Sequence, residues 1–234
     1  MEGESEQVEQ IKDLIGFLRA SKKEKMGALE IITPYSGTEE TRALFATTDI
    51  CKELLRLLPE PDADLTVGAL KCLINFSQDE SYIKQMCELN VAFRINDLLK
   101  QHVKQDIKNE NLDGEELVNS AKLNLADGVF ELVKKDIKVN SQGKIIEEDK
   151  TETIIECAFM LLNNLTATTP GQRHALGIEG EAKFKFIIAE SIFGMFCYFT
   201  KNAIFDFVPN IMANLACLNE GRKFMIDNKY IEAI

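Results

Sequence analysis

Ala69-Leu-Lys-Cys-Leu-Ile-Asn75-Phe-Ser77 is the stretch that decides the fold, because the chain writes it again twice more. The later copies read Ala158-Phe-Met-Leu-Leu-Asn-Asn164-Leu-Thr166 and Val208-Pro-Asn-Ile-Met-Ala-Asn214-Leu-Ala216. A degenerate copy, Ala28-Leu-Glu-Ile-Ile-Thr-Pro34-Tyr-Ser36, comes before them. Counted from Ala28, Ala69, Ala158 and Val208, the offsets are 41, 89 and 50 residues. Self-similarity at forty-odd residues marks a repeat architecture, in which each unit buries its apolar face only by stacking on its neighbours.

The units also share a grammar between copies. A polar turn follows each copy, then a short helix, then a longer apolar-periodic helix, then the next copy. After Ser36 the pattern gives helices at 38–46 and 50–58; after Ser77, at 80–89 and 91–102. After Thr166 it gives 170–178 and 183–199, and after Ala216 it gives 221–228. Leu65, Ala69, Cys72, Leu73 and Phe76 fall on one helical face at three- and four-residue steps. Strand-type alternation is nearly absent. The expectation is an all-α chain of armadillo-type three-helix repeats wound as a right-handed superhelix, an α-solenoid of about four to five partly complete repeats. Three helices per unit, short-long-long, separate it from the two-helix HEAT unit. Asp62 or Asp64, Thr151 and Asn202 are expected helix caps, and Pro59 and Pro61 separate two helices. Pro34 sits near a helix end, whereas Pro209 is expected to kink its helix or mark a late start.

Residues 103–150 interrupt the rhythm as an insertion between the second and third helices of one repeat. Leu117, Ala121, Leu125 and Val129 make the first part, 114–135, helical in pattern, and 136–147 reads as a hairpin around Gly143. Tyr230 to Ile234 begin a helix the sequence does not finish, so residues 1–234 are expected to form a single solenoid truncated at its C-terminus.

Composition narrows the function classes. Net charge is −11, which argues against nucleic acid as a partner, since phosphate binding needs a concentrated basic surface. No run approaches a membrane span, and Met1 to Glu9 carry no basic-then-apolar signal. Six scattered cysteines, Cys51, Cys72, Cys87, Cys157, Cys197 and Cys217, have no metal or redox spacing and read as small hydrophobes in a reducing cytoplasmic protein. His102 and His174 are isolated and read as surface residues. Gly143-Lys144 lacks the rest of a phosphate loop, and Glu147-Glu148-Asp149 diverge on any element. No catalytic, cofactor or metal residues are therefore expected. An enzyme would need a site built within the insertion.

One polar feature recurs in place. Asn75, Asn164 and Asn214 stand at equivalent positions near the end of each third helix. Two readings stay open: an amide ladder that hydrogen-bonds an extended partner backbone, or amides that cap helices and bridge to the neighbouring repeat. Nuclear-import armadillo proteins carry Trp one turn before this Asn. Here the place holds Lys71, Met160 and Asn210, and the chain has no Trp.

The blocks 69–99 and 158–227, with Gly221-Arg-Lys-Phe-Met-Ile-Asp227 after the Asn164-to-Asn214 spacing, resemble the armadillo-like cochaperone family that assists folding of eukaryotic translation elongation factor 2. The resemblance covers most of the chain outside 103–150. It implies a cytosolic adaptor whose partners are elongation factor 2 and the cytosolic chaperonin, with no cofactor. Another armadillo adaptor, for complex assembly or nuclear transport, is the alternative.

Overall fold

The computed structural model describes residues 2–109, 150–178, 185–198 and 204–230. Among these residues the chain is all helical, with no strand. Its helices are α1 (Glu2–Phe17), α2 (Lys22–Tyr35), α3 (Glu39–Ala43), α4 (Ile50–Leu57), α5 (Ala63–Phe76) and α6 (Glu80–Glu88). They continue as α7 (Val91–Asn109), α8 (Thr151–Thr166), α9 (Thr169–Ala175), α10 (Ile187–Tyr198), α11 (Ile204–Leu215) and α12 (Asn219–Asp227).

The four motif copies end α2, α5, α8 and α11, and these helices stack in order: α2 on α5, α5 on α8, α8 on α11. The intervening helices stack likewise, α6 on α9 and α7 on α10. Successive like-on-like packing is compatible with an α-solenoid. The face predicted for α5 is the buried one: Ala69, Cys72, Leu73 and Phe76 are fully enclosed and Leu65 nearly so. Phe76 meets Phe45 edge-on at 5.5 Å and Tyr82 at 4.7 Å. None of the described helices is long and apolar enough to cross a membrane.

Local chemistry explains the boundaries. Asp62 caps α5, accepting from Asp64 N (3.1 Å) and Leu65 N (3.2 Å). Thr38 and Thr168, each two residues past a motif copy, cap α3 and α9 by accepting from Thr41 N and Gly171 N. Thr151 is not a cap: it is the first residue of α8, and Lys150 stands before it. The cap expected at Asn202 lies outside the described residues. Pro209 lies inside α11, which starts at Ile204, so it marks no late start. The helix read as 91–102 runs on as α7 to Asn109. The helix and hairpin read in 114–147 lie outside the described residues.

Short helices end in the left-handed region at matching places: Asn90 after α6 (φ 57°), Gly177 after α9 (φ 63°) and Lys229 after α12 (φ 57°). At Asn90 the left-handed residue turns the chain directly into α7, and the left-handed region is a conformation only glycine takes without steric cost.

At the N-terminal end, α1 is tied to α4 by a buried carboxylate. Glu53 accepts from Arg19 Nη2 at 2.5 Å, and Arg56 Nε lies 3.3 Å from its other oxygen while donating through Nη2 to Leu18 O. The Arg19 hydrogen bond holds the Glu53 carboxyl below its ordinary value despite burial. A depressed folded-state pKa stabilises the fold above the ordinary carboxylate range and ceases to do so as pH falls through the folded value. Urea titrations of wild type and Glu53→Gln should therefore differ most near neutrality, and the difference should shrink as pH falls below the ordinary carboxylate range.

Candidate functional site

The recurrent asparagines form one continuous inter-repeat ladder. Asn75 Nδ2 donates to Ser36 Oγ (3.0 Å) and to Thr33 O (3.1 Å). Asn164 Nδ2 donates to Ser77 Oγ (2.9 Å), and Asn214 Nδ2 to Thr166 Oγ1 (3.3 Å). Each hydroxyl acceptor is the ninth residue of the preceding motif copy. Each of those hydroxyls in turn donates to a carbonyl three residues back: Ser36 to Thr33 O, Ser77 to Ile74 O, Thr166 to Asn163 O. A hydroxyl has one proton and two lone pairs, so spending the proton on its own helix leaves a lone pair for the next asparagine. Ser36, Ser77 and Thr166 are all buried, so unpaired they would be costly.

The ladder has two ends. Pro34 stands in α2 where the other copies carry Asn, so nothing reaches upstream from it. Ala216 stands where the other copies carry a hydroxyl. Leu218, two residues past that copy, stands where Thr38 and Thr168 cap their helices, and gives α12 no side-chain cap.

The asparagines are only partly buried, and each Nδ2 donates to the neighbouring repeat. The bridging reading thus has a geometry on all three residues. Lys71 and Asn210, one turn before the ladder, are exposed and Met160 is half-buried. The ladder predicts a measurable coupling. Asn164→Ala and Ser77→Ala should each cost about 1–2 kcal/mol in urea unfolding. The double variant should cost roughly 1 kcal/mol less than their sum. Strict additivity would show that the 2.9 Å bond contributes nothing.

A second recurrent device lies beside it, and the nine-residue motif alone did not reveal it. Five residues past the third and fourth copies stand Gly171 and Gly221, where the short helix crosses the end of the motif helix. A Cβ on Gly171 would sit 1.9 Å from Leu165 O, and one on Gly221 would sit 2.0 Å from Leu215 O. Six residues past the first and fourth copies stand Arg42 and Arg222. Arg42 Nη1 donates to Ser36 O (3.1 Å) and Arg222 Nη1 to Ala216 O (2.7 Å), covering helix-end carbonyls left without a partner in the helix. Aligning the copies a few residues further would have exposed both regularities.

The remaining chemistry-bearing residues are structural in their surroundings. His174 is not a surface residue: it is half-buried, packs edge-on against Phe93 at 5.9 Å, and its Nε2 accepts from Ala92 N at 3.4 Å. Cys51 and Cys72 are buried, and burial pushes their thiols up to about 12 and about 11 respectively, which keeps them protonated and unreactive. Cys217 departs from the buried-hydrophobe expectation, being exposed in the turn after α11.

Compared with protein-family models and with curated proteins, the chain matches none.

Proposed function

We propose that this protein is an armadillo-type scaffold that binds another protein, and that it serves as a cytosolic adaptor for the folding of translation elongation factor 2 with the cytosolic chaperonin. The observation that carries the scaffold reading is the stack of four motif helices tied by the Asn–hydroxyl ladder. A rigid stack of this kind offers many weak contacts along an extended surface, which suits a partly folded client better than a single deep pocket would. The client and the chaperonin link rest on the sequence resemblance. The alternative within the same class is an armadillo adaptor for another complex; the absence of Trp before the ladder asparagines weighs against import-signal recognition.

Affinity purification of the tagged protein from cytosol, with mass spectrometry of its partners, separates these. Elongation factor 2 and chaperonin subunits are expected. Recovery of import cargo or nuclear-pore proteins without either would sink the cochaperone reading. The ladder supplies the companion test: Asn214→Ala should weaken client capture beyond its small effect on melting temperature if the amides also touch the client.

A further inference from the structure

We infer that the upstream face of α2 is a docking site for a single α-helix of a partner protein, which extends the stack by one helix. The argument is a comparison of equivalent positions. In the second, third and fourth copies, position four of the motif (Cys72, Leu161, Ile211) is buried. In the first copy that position, Ile31, is 50% exposed, and Tyr35, one turn later, is 48% exposed. Glycine gives the same contrast. Gly68, just before the second copy, would put a Cβ 2.9 Å from the Leu29 side chain of α2. Gly27, just before the first copy, would meet no heavy atom within 4 Å. Gly27, Ile31 and Tyr35 follow at four-residue steps, so they line one stripe of α2. The α1 helix packs on α2 but leaves this stripe open.

What covers the homologous face is on view one repeat further on, and it defines the occupant. There α2 lies along α5 with Leu29 seated over Gly68 and Thr33 Oγ1 3.2 Å from Cys72 Sγ. The helix that fits α2 therefore presents a leucine-sized side chain over Gly27 and a small residue, one turn later, beside Ile31. It has no need to offer a buried hydroxyl, because Pro34 replaces the amide that would seek one. The contact continues an interface the chain already forms between its own helices, with the apolar stripe as its centre.

The probe is a fluorescein-labelled synthetic peptide with the sequence of residues 22–37, which carries Leu29 and Thr33 at this spacing. It is titrated against the full chain by fluorescence anisotropy. Saturable binding is expected, and Gly27→Leu, which fills the seat from the α2 side, should weaken it at least about tenfold. Its melting temperature should be no lower than that of wild type, since the added atoms enter open space and leucine favours the helix more than glycine does. Equal binding by Gly27→Leu, or none up to about 1 mM peptide, overturns the proposal. Sedimentation of the wild type and Gly27→Leu decides the occupant. A concentration-dependent dimer abolished by the variant would assign the face to a second copy and overturn the partner-helix reading.

Discussion

Gly171→Ala is expected to lose about 3 kcal/mol of stability, the upper part of the range for overpacking a closed site. The added methyl would stand 1.9 Å from Leu165 O, far inside contact distance. Neither atom can swing away: both are fixed by helical backbone, one at the start of α9 and one at the end of α8. Relief requires prising α9 off α8, which also strains the Thr168 cap, 3.3 Å from Gly171 N. Gly221→Ala should behave alike, with its methyl 2.0 Å from Leu215 O. Gly27→Ala is the control. Its methyl meets nothing, and replacing a helical glycine by alanine should stabilise by roughly 0.5–1 kcal/mol. Urea unfolding of the three variants checks the set. A gain at Gly171 like that at Gly27 would show that helix propensity outweighs the close crossing and would overturn the prediction.

Arg42→Ala has the second large expected effect, about 3 kcal/mol. The guanidinium is buried and forks onto Asp79, Nε to Oδ2 at 2.7 Å and Nη2 to Oδ1 at 3.2 Å. It also reaches Ser36 O and Gln78 Oε1. Asp79 and Gln78 follow the second motif copy and Ser36 ends the first, so one side chain clamps the ends of two stacked helices. Tyr82 closes the arrangement by donating to Arg42 O at 2.5 Å. Asp79 keeps some solvent access, which limits the cost of leaving it unpaired and sets the estimate at the low end for breaking a buried pair. Arg42→Lys should recover only part of the loss, because an ammonium cannot fork across both carboxylate oxygens and still reach Ser36 O. Arg222→Ala removes the same helix-end contact at an exposed site and should cost under about 1 kcal/mol. The contrast between the two arginines is the measurement that matters: similar losses would mean that the Asp79 fork adds nothing.

Much of this was legible in one dimension. The nine-residue motif recurs because each copy must present the same faces to its neighbours, so apolar period and repeat length together indicate stacked helices. The asparagines could be singled out for the same reason. Their hydroxyl partners could not, because Ser36, Ser77 and Thr166 lie a full repeat away in sequence. A residue 87 positions from its partner leaves no local trace. His174 misled for a related reason. In sequence it stands in a short polar helix; in space its imidazole turns inward onto Ala92 and Phe93, and the neighbouring Gln172 is buried as well.

The sequence by itself determined the helical character, the motif-bearing helices and the apolar face of each, because these depend on periodicities of three to four residues and on repetition along the chain. The tertiary structure decided what the repeated polar residues do. It spent the asparagine amides on the preceding repeat, required glycine at two crossings for lack of room, and left the stripe through Gly27, Ile31 and Tyr35 uncovered. Those outcomes depend on which backbone comes within a few ångströms of which. That distance is set by how helices a whole repeat apart settle against one another, and no local pattern encodes it.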